Sequence, residues 1–322
     1  MTARYFARKF LALGATLFAT VTFNFLLFHV LPGSPVELLA RSGHYDAAAR
    51  AQLVKLFGLN HSLIVQYLIY FKDLAHGNLG YSFVYREPVS TVLGSAIGNT
   101  VLLLGAATFV TVVIGVVVGV YSASRAHTTA DTSITVVSLG AWSMPDFFTG
   151  MLAIFAFGVW VHWLPISGIV TPGLVSGFWG HAWDVIRHLI LPTVTLALVN
   201  IAQFSLITRN SLVEAMVEDY MLTARAKGLS RRVILVRHAL RNALLPVVTT
   251  TALYVGMILG GAIQVETVFS WPGMGLLTYN AVEQRDYPVL EACFLLFAIA
   301  VILTNFASDL LYHYLDPRVG RT

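Results

Sequence analysis

Lysine is scarce in this chain, and its placement settles the first chemical question. The only lysines among 322 residues are Lys9, Lys55, Lys72 and Lys227. None stands in a GxxxxGK[ST] phosphate loop, where backbone N–H groups cradle phosphates and the lysine reaches the terminal ones. HExxH, a zinc-protease signature, and GxSxG, a serine-nucleophile elbow, are also absent. Ten histidines are scattered rather than paired, and the single Cys293 builds neither a disulfide nor a thiolate zinc site. Catalysis by this chain alone is not expected, and no metal or other cofactor is expected on it.

The ionisable residues inside apolar runs are the next candidates. Asp146, directly after Pro145, is the one acid well inside such a run, and Asp309 stands near the end of another. A charged Asp at a bilayer centre costs about 2.5–3.5 kcal/mol on insertion scales, so Asp146 must face protein or water. It is a pore candidate, with Asn200 and Gln203 as weaker ones that are equally suited to hydrogen-bonding a neighbouring helix. The competing reading of Asp146 is a helix cap after the proline break. Two acids are few for a proton-driven carrier, which makes a secondary carrier or channel the weaker alternative.

These residues need a membrane to position them. The chain is 57% hydrophobic and 11% charged, with a mean hydropathy of +0.74. A soluble domain carries roughly 25% charged residues. Runs free or nearly free of Asp, Glu, Lys and Arg predict about six transmembrane helices, over residues 10–31, 100–123, 135–160, 188–208, 244–264 and 293–312. The third is interrupted by Pro145 and Asp146, and Asp309 lies near the end of the sixth. The first run is longer than a signal-peptide core and ends in Leu-Pro-Gly-Ser-Pro without a cleavage site, so it reads as a span. With both termini cytoplasmic, Lys and Arg divide as 13 inside and 7 outside, five of the latter in the long first loop. That division obeys the positive-inside rule. The expected class is an all-α polytopic inner-membrane protein.

Three segments lie outside the spans. In the first outer loop, residues 46–57 and 62–76 read as short helices, the second with Leu63, Gln66, Tyr67, Tyr70 and Leu74 near helical spacing. Such an aromatic helix packs on a neighbouring span or the membrane surface, or serves a docking partner. The inner loop, 209–242, carries seven basic residues with its flanks. Residues 212–227 predict a helix stopped by Gly228, and Ser230 is placed to cap a second from Arg231. Tyr220, Thr223, Ala224 and Lys227 recur on one face, where small residues admit a close neighbour. A solvated basic loop is the plain alternative. DNA reading is disfavoured, because spans abut both sides. The last outer segment, 266–288, holds Phe269-Ser270-Trp271-Pro272-Gly273-Met274-Gly275, a Pro-Gly turn beside interfacial aromatics.

Asp219-Tyr220-Met221-Leu222-Thr223-Ala224-Arg225-Ala226-Lys227-Gly228-Leu229-Ser230 and the following Arg237-His238-Ala239-Leu240-Arg241-Asn242-Ala243-Leu244-Leu245-Pro246 resemble the cytoplasmic EAA loop of peptide importers. Val265-Glu266-Thr267-Val268-Phe269-Ser270-Trp271-Pro272-Gly273, Arg285-Asp286-Tyr287-Pro288, Asp309-Leu310-Leu311-Tyr312, Asp316-Pro317-Arg318, Leu31-Pro32-Gly33 and Gly77-Asn78-Leu79-Gly80 add to the likeness. From Arg4 to Arg318 the chain resembles the dipeptide/oligopeptide permease subunits of ATP-binding-cassette importers. One departure is that Leu222-Thr223-Ala224 stands where the general pattern has Glu-Ala-Ala, so the acidic contact is missing. The Leu-Pro pair also follows Gly228 at a longer distance than in the general pattern.

The resemblance implies a type I importer architecture. Residues 1–99 form an N-terminal helix and outer loop, 100–313 a five-helix permease core, and 314–322 a cytoplasmic tail. A second homologous permease would complete the pore, two ATPase domains would hold ATP and Mg2+, and an extracytoplasmic binding protein would deliver peptide. Asp219, Tyr220, Thr223, Ala224, Arg225, Ala226, Lys227 and Gly228 would form the coupling helix on the ATPase. Tyr220 would anchor in its cleft, and Gly228 would stop the helix at positive φ. Glu266, Phe269 and Trp271 would line the outer vestibule, with Tyr81 and Met274 as positions from which the binding protein is within reach. Related permeases for nickel or glutathione, and a non-transporting membrane anchor, are the alternatives.

Overall fold

Apolar runs this long leave a backbone only the helix as a way to satisfy its hydrogen bonds in lipid. The computed structural model describes residues 3–30, 61–82, 84–174, 177–230 and 233–315. The helix expected over 46–57, Leu31-Pro32-Gly33, Asp316-Pro317-Arg318 and the tail beyond 315 lie outside these residues. The elements in chain order are α1 (Ala3–Val30), α2 (Leu63–Ala75), β1 (Tyr81–Ser82), β2 (Glu87–Pro88), α3 (Val89–Ser124) and α4 (Thr129–Trp142). They continue with α5 (Asp146–Ala153), α6 (Phe178–Ala215), α7 (Asp219–Ala226), α8 (Leu240–Val268), α9 (Met274–Gln284) and α10 (Tyr287–Leu315).

Four helical stretches are long and apolar enough to cross a membrane among the described residues: Ala7–Phe28, Val89–Ser124, Phe178–Ala215 and Tyr287–Ser308. The expected third span is not one rod. α4 and α5, the latter widening into π-helical turns over Ile154–Trp160, meet at a bend of 98°. Pro145 occupies the N-cap of α5 with extended backbone (ψ 139°), which places the break where proline disfavours a continuing helix. The expected fifth span is α8, 29 residues long. α6, at 38 residues, is about 57 Å long and exceeds the roughly 30 Å hydrocarbon layer.

The chain forms two compact units. One comprises Met1–Gly98 and Leu277–Leu303, so the latter segment groups with the N-terminal residues rather than with the core expected over 100–313. Its own contacts explain this. Asn24 Nδ2 donates to the Tyr70 hydroxyl and to the Glu291 carbonyl, each at 3.0 Å. Phe25 packs on Tyr67 and Tyr70, and Phe28 on Tyr287 and Phe294. The aromatic face of α2 therefore lies on α1, the neighbouring span. The β1–β2 hairpin pairs Tyr81 with Pro88, and its Ser82 hydroxyl donates to buried Asp286.

The second unit, Asn99–Leu276 with Thr304–Thr322, holds the main core. Leu103, Leu191, Leu196, Phe204, Val247, Tyr254, Phe269 and Trp271 are among its buried members. A smaller cluster of Leu212, Ala215, Met221, Ala224, Ile234, Ala239 and Ala243 lies around α7. α3 meets α6 with almost no space between them. A Cβ on Gly115 would stand 2.5 Å from Phe204 Cβ, and one on Gly119 2.6 Å from the Ser205 carbonyl oxygen. Only glycine permits this approach, the small-xxx-small solution to packing in lipid.

Candidate functional site

The loop between α6 and α8 carries the residues with the strongest motif. Three residues, 216–218, separate α6 from α7. Gly228 follows at φ +72°, as expected of a glycine that ends a helix in the left-handed region. The expected outward face is partly corrected. Ala224 is 5% exposed and Met221 1%, because both pack into this chain's own cluster around Ile234 and Ala239. Ala224 thus admits the close approach of α7 to its own loop, not to a partner. The exposed side of α7 holds Asp219, Leu222, Thr223 and Ala226, with Lys227 just beyond, and Leu222 is 60% exposed. Tyr220 is half-exposed, and its hydroxyl accepts from Asn242 Nδ2 at 2.9 Å, fastening α7 to the start of α8. The Arg225 side chain lies outside the described residues. Tyr220, Arg237, His238, Arg241 and Asn242 line a cavity of about 640 Å3 together with Leu244, Leu245 and Val248.

The turn after α8 corrects a second expectation. Glu266 and Trp271 are fully buried and Phe269 is 1% exposed, so none of the three presents a surface to a docking protein. Glu266 instead accepts from the Thr100 hydroxyl at 2.7 Å and from the Gly275 and Leu276 amides at 2.6 and 3.2 Å. A carboxylate at the start of α9 satisfies amides that a helix N-terminus leaves free. Trp271 Nε1 donates to the Asn99 carbonyl at 3.0 Å, and Asn99 Nδ2 donates to the Pro272 carbonyl at 2.8 Å. Any side chain at Gly273 or Gly275 would strike the Glu266 carboxylate. Met274, expected at the outer surface, is 4% exposed.

Two of the three pore candidates converge. Asp146 stands in the first turn of α5 without capping it, so the capping reading fails, and its Oδ1 is buried without a hydrogen-bond partner among the described residues. The buried Tyr254 hydroxyl from α8 lies near Thr111 of α3, Asn200 of α6 and Asp146, and has no hydrogen-bond partner among the described residues. Asn200 Nδ2 donates to the Leu196 carbonyl of its own helix at 2.8 Å. Gln203 lies about one turn further along α6, half-buried. Unpaired hydroxyls are costly in an apolar interior.

Residues 115–321 match the family of binding-protein-dependent transport system inner membrane components. The chain belongs to that family. It is 38% identical over 329 residues to the di/tripeptide transport system permease protein DppB of Pseudomonas aeruginosa, with 98% of each chain covered. To the dipeptide transport system permease protein DppB of Escherichia coli K12 it is 38% identical, with 93% of each chain covered. To the oligopeptide transport system permease protein AppB of Bacillus subtilis it is 35% identical, covering 98% of this chain and 99% of the other.

The matched segment of this inner membrane component holds α7, Asp146, Tyr254 and the Glu266 turn. Sequence reading missed two features of it. Gly115 and Gly119 were visible as a GxxxG spacing in an apolar run, a signal for close helix contact. The Asp131–Arg209 ion pair carries no local signature, because its partners are 78 residues apart.

Proposed function

We propose that this family member is the permease subunit of an ATP-driven peptide importer and forms half of its translocation pore. The carrying observation is α7, a short helix with an exposed face, stopped by a positive-φ glycine within a basic loop between two long helices. Peptide as substrate is supported by the relatives named as dipeptide, di/tripeptide and oligopeptide permeases. The partners in this reading are a second homologous permease, two ATPase domains that bind ATP and Mg2+, and an extracytoplasmic peptide-binding protein. This chain sits in lipid with both termini cytoplasmic and binds no cofactor or nucleic acid itself.

On this reading, α7 seats in a cleft of the ATPase through Asp219, Leu222, Thr223, Ala226 and Lys227. Arg225 and Lys227 pair with acidic groups on the cleft rim and tune association more than affinity. Closure of the ATPases around ATP displaces α7 and tilts the helices attached to it. The two pore states must contact the ATPases differently for ATP to shift their populations. Asp146 and Asn200, around Tyr254, and Gln203 serve the moving interior. Asp146→Asn is expected to lower peptide uptake several-fold with the helices still inserted, and full uptake would remove its charge from the pathway.

The test is co-purification followed by ATP hydrolysis in the reconstituted complex. Capture of ATPase subunits and stimulation by peptide-loaded binding protein are expected. Uptake by this chain without an ATPase would replace the reading with a secondary carrier, and stimulation only by nickel or glutathione would replace its substrate.

A further inference from the structure

α3 and α6 are fastened twice, and both fastenings lie close to the point where the coupling stroke enters. We infer that α3, α4 and α6 move as one body, held by the Asp131–Arg209 pair, so that displacement of α7 is delivered to the second span as well as to the fourth. The inference rests on the coupling role proposed for α7.

Asp131, in the first turn of α4, is 3% exposed. Arg209 reaches it from α6 as a planar fork: Nε donates to Oδ1 at 2.7 Å and Nη2 to Oδ2 at 2.6 Å. Two parallel charge-assisted bonds fix orientation as well as distance, which a lysine cannot do. The carboxylate is otherwise saturated by this chain. The Ser122 hydroxyl at the end of α3 donates to Oδ1 at 2.5 Å, and the His127 amide donates to Oδ2 at 2.9 Å. One carboxylate therefore ties α3, the turn after it, α4 and α6 together. His127 holds a positive φ of 66°, a conformation in which its amide is aimed at that carboxylate.

The second fastening is the close glycine contact between the two helices. Gly115 and Gly119 set α3 directly against Phe204, Ser205 and Thr208 of α6. Arg209 is the next residue along, so the ion pair closes the cytoplasm-directed end of the same seam. From there α6 runs unbroken to Ala215, and three residues lead into α7. A displaced α7 thus pulls on a helix that is bolted to α3 and α4 within the last turns before the loop. Breaking a buried pair leaves an uncompensated charge, and keeping one adds little net stability; its better-attested use is to fix register. That argues for a positioning role in the stroke.

The experiment uses the complete complex, with ATPases and binding protein, in lipid nanodiscs. Spin labels at exposed Tyr121 of α3 and Glu214 of α6 report the distance between the two helices, nucleotide-free and trapped with ATP analogue. The parent is expected to hold one distance in both states. A change of several ångströms in a complex that still couples would overturn the inference while leaving the role of α7 intact. Failure to couple at all would instead remove the role of α7. Arg209→Ala is expected to lower peptide taken up per ATP hydrolysed about tenfold and to broaden the distance distribution, with partial recovery in Arg209→Lys. If uptake and hydrolysis fall strictly together with the amount of assembled complex, the pair is a structural fastening only and the inference fails.

Discussion

At the scale of single residues, the backbone of Gly228 sets the sharpest test. Its φ is +72°, and none of the described residues comes within 4 Å of the position a Cβ would take. Substitution there is penalised by conformation alone, at about 1–3 kcal/mol for a residue forced into the left-handed region. Gly228→Val is expected to abolish peptide-stimulated ATP hydrolysis, and Gly228→Asn to retain much of it, because Asn tolerates that region. Membrane insertion, followed in parallel, should be unchanged in both. Asp286 offers a test by pH. Burial raises its pKa above the usual carboxylate value, with hydrogen bonds from Ser82 and nearby amides opposing that shift in part. The folded state therefore holds the proton better than the unfolded one. Its contribution is fully present below the unfolded value and is lost as pH rises through the raised one. Thermal unfolding of the purified protein from about pH 4 to 7 should show a fall in stability that Asp286→Asn flattens. An unchanged slope in the variant would assign the fall to other groups.

At the scale of elements, hydropathy and helix-stop chemistry are legible in the sequence, and side-chain direction is less so. The runs over 10–31, 100–123, 188–208, 244–264 and 293–312 each lie within or largely within one helix, because a bilayer makes length and apolarity sufficient signals. Pro145 announces the bend between α4 and α5 but not its 98° angle, since proline marks a break without setting the direction of the next helix. The periodic face Tyr220–Thr223–Ala224–Lys227 reads as a partner face from spacing alone. Ala224 belongs instead to the inner side, because a small residue signals close approach without saying by whom. Glu266, Phe269 and Trp271 mislead for a related reason: a polar or aromatic residue after a span looks interfacial until distant donors such as Thr100 are known. The outer surface must therefore be sought elsewhere. Tyr81 on β1 is 44% exposed and Met274 is 4% exposed. A photo-cross-linker at Tyr81 is expected to capture the binding protein in an assembled complex, and one at Met274 is not. Capture at Met274 with none at Tyr81 would reverse the assignment.

At the scale of the whole molecule, this chain is an inner membrane component of a binding-protein-dependent transport system, one part of a larger assembly. The Glu266 turn also has a consequence in time. Chains are made and inserted from the N-terminus, so Thr100 enters the membrane first, Glu266 follows 166 residues later, and the α9 amides arrive last. Until then the carboxylate lacks two of its donors, and its bond to Thr100 requires α3 and α8 to stand side by side already. Long-range contacts of this kind close late in folding. The turn therefore closes only after the start of α9 has been made. Nascent chains truncated before residue 274 should remain protease-sensitive at the α8 end, and chains that include all of α9 should become resistant. Full-length Glu266→Ala should stay sensitive, as though α9 had never been made.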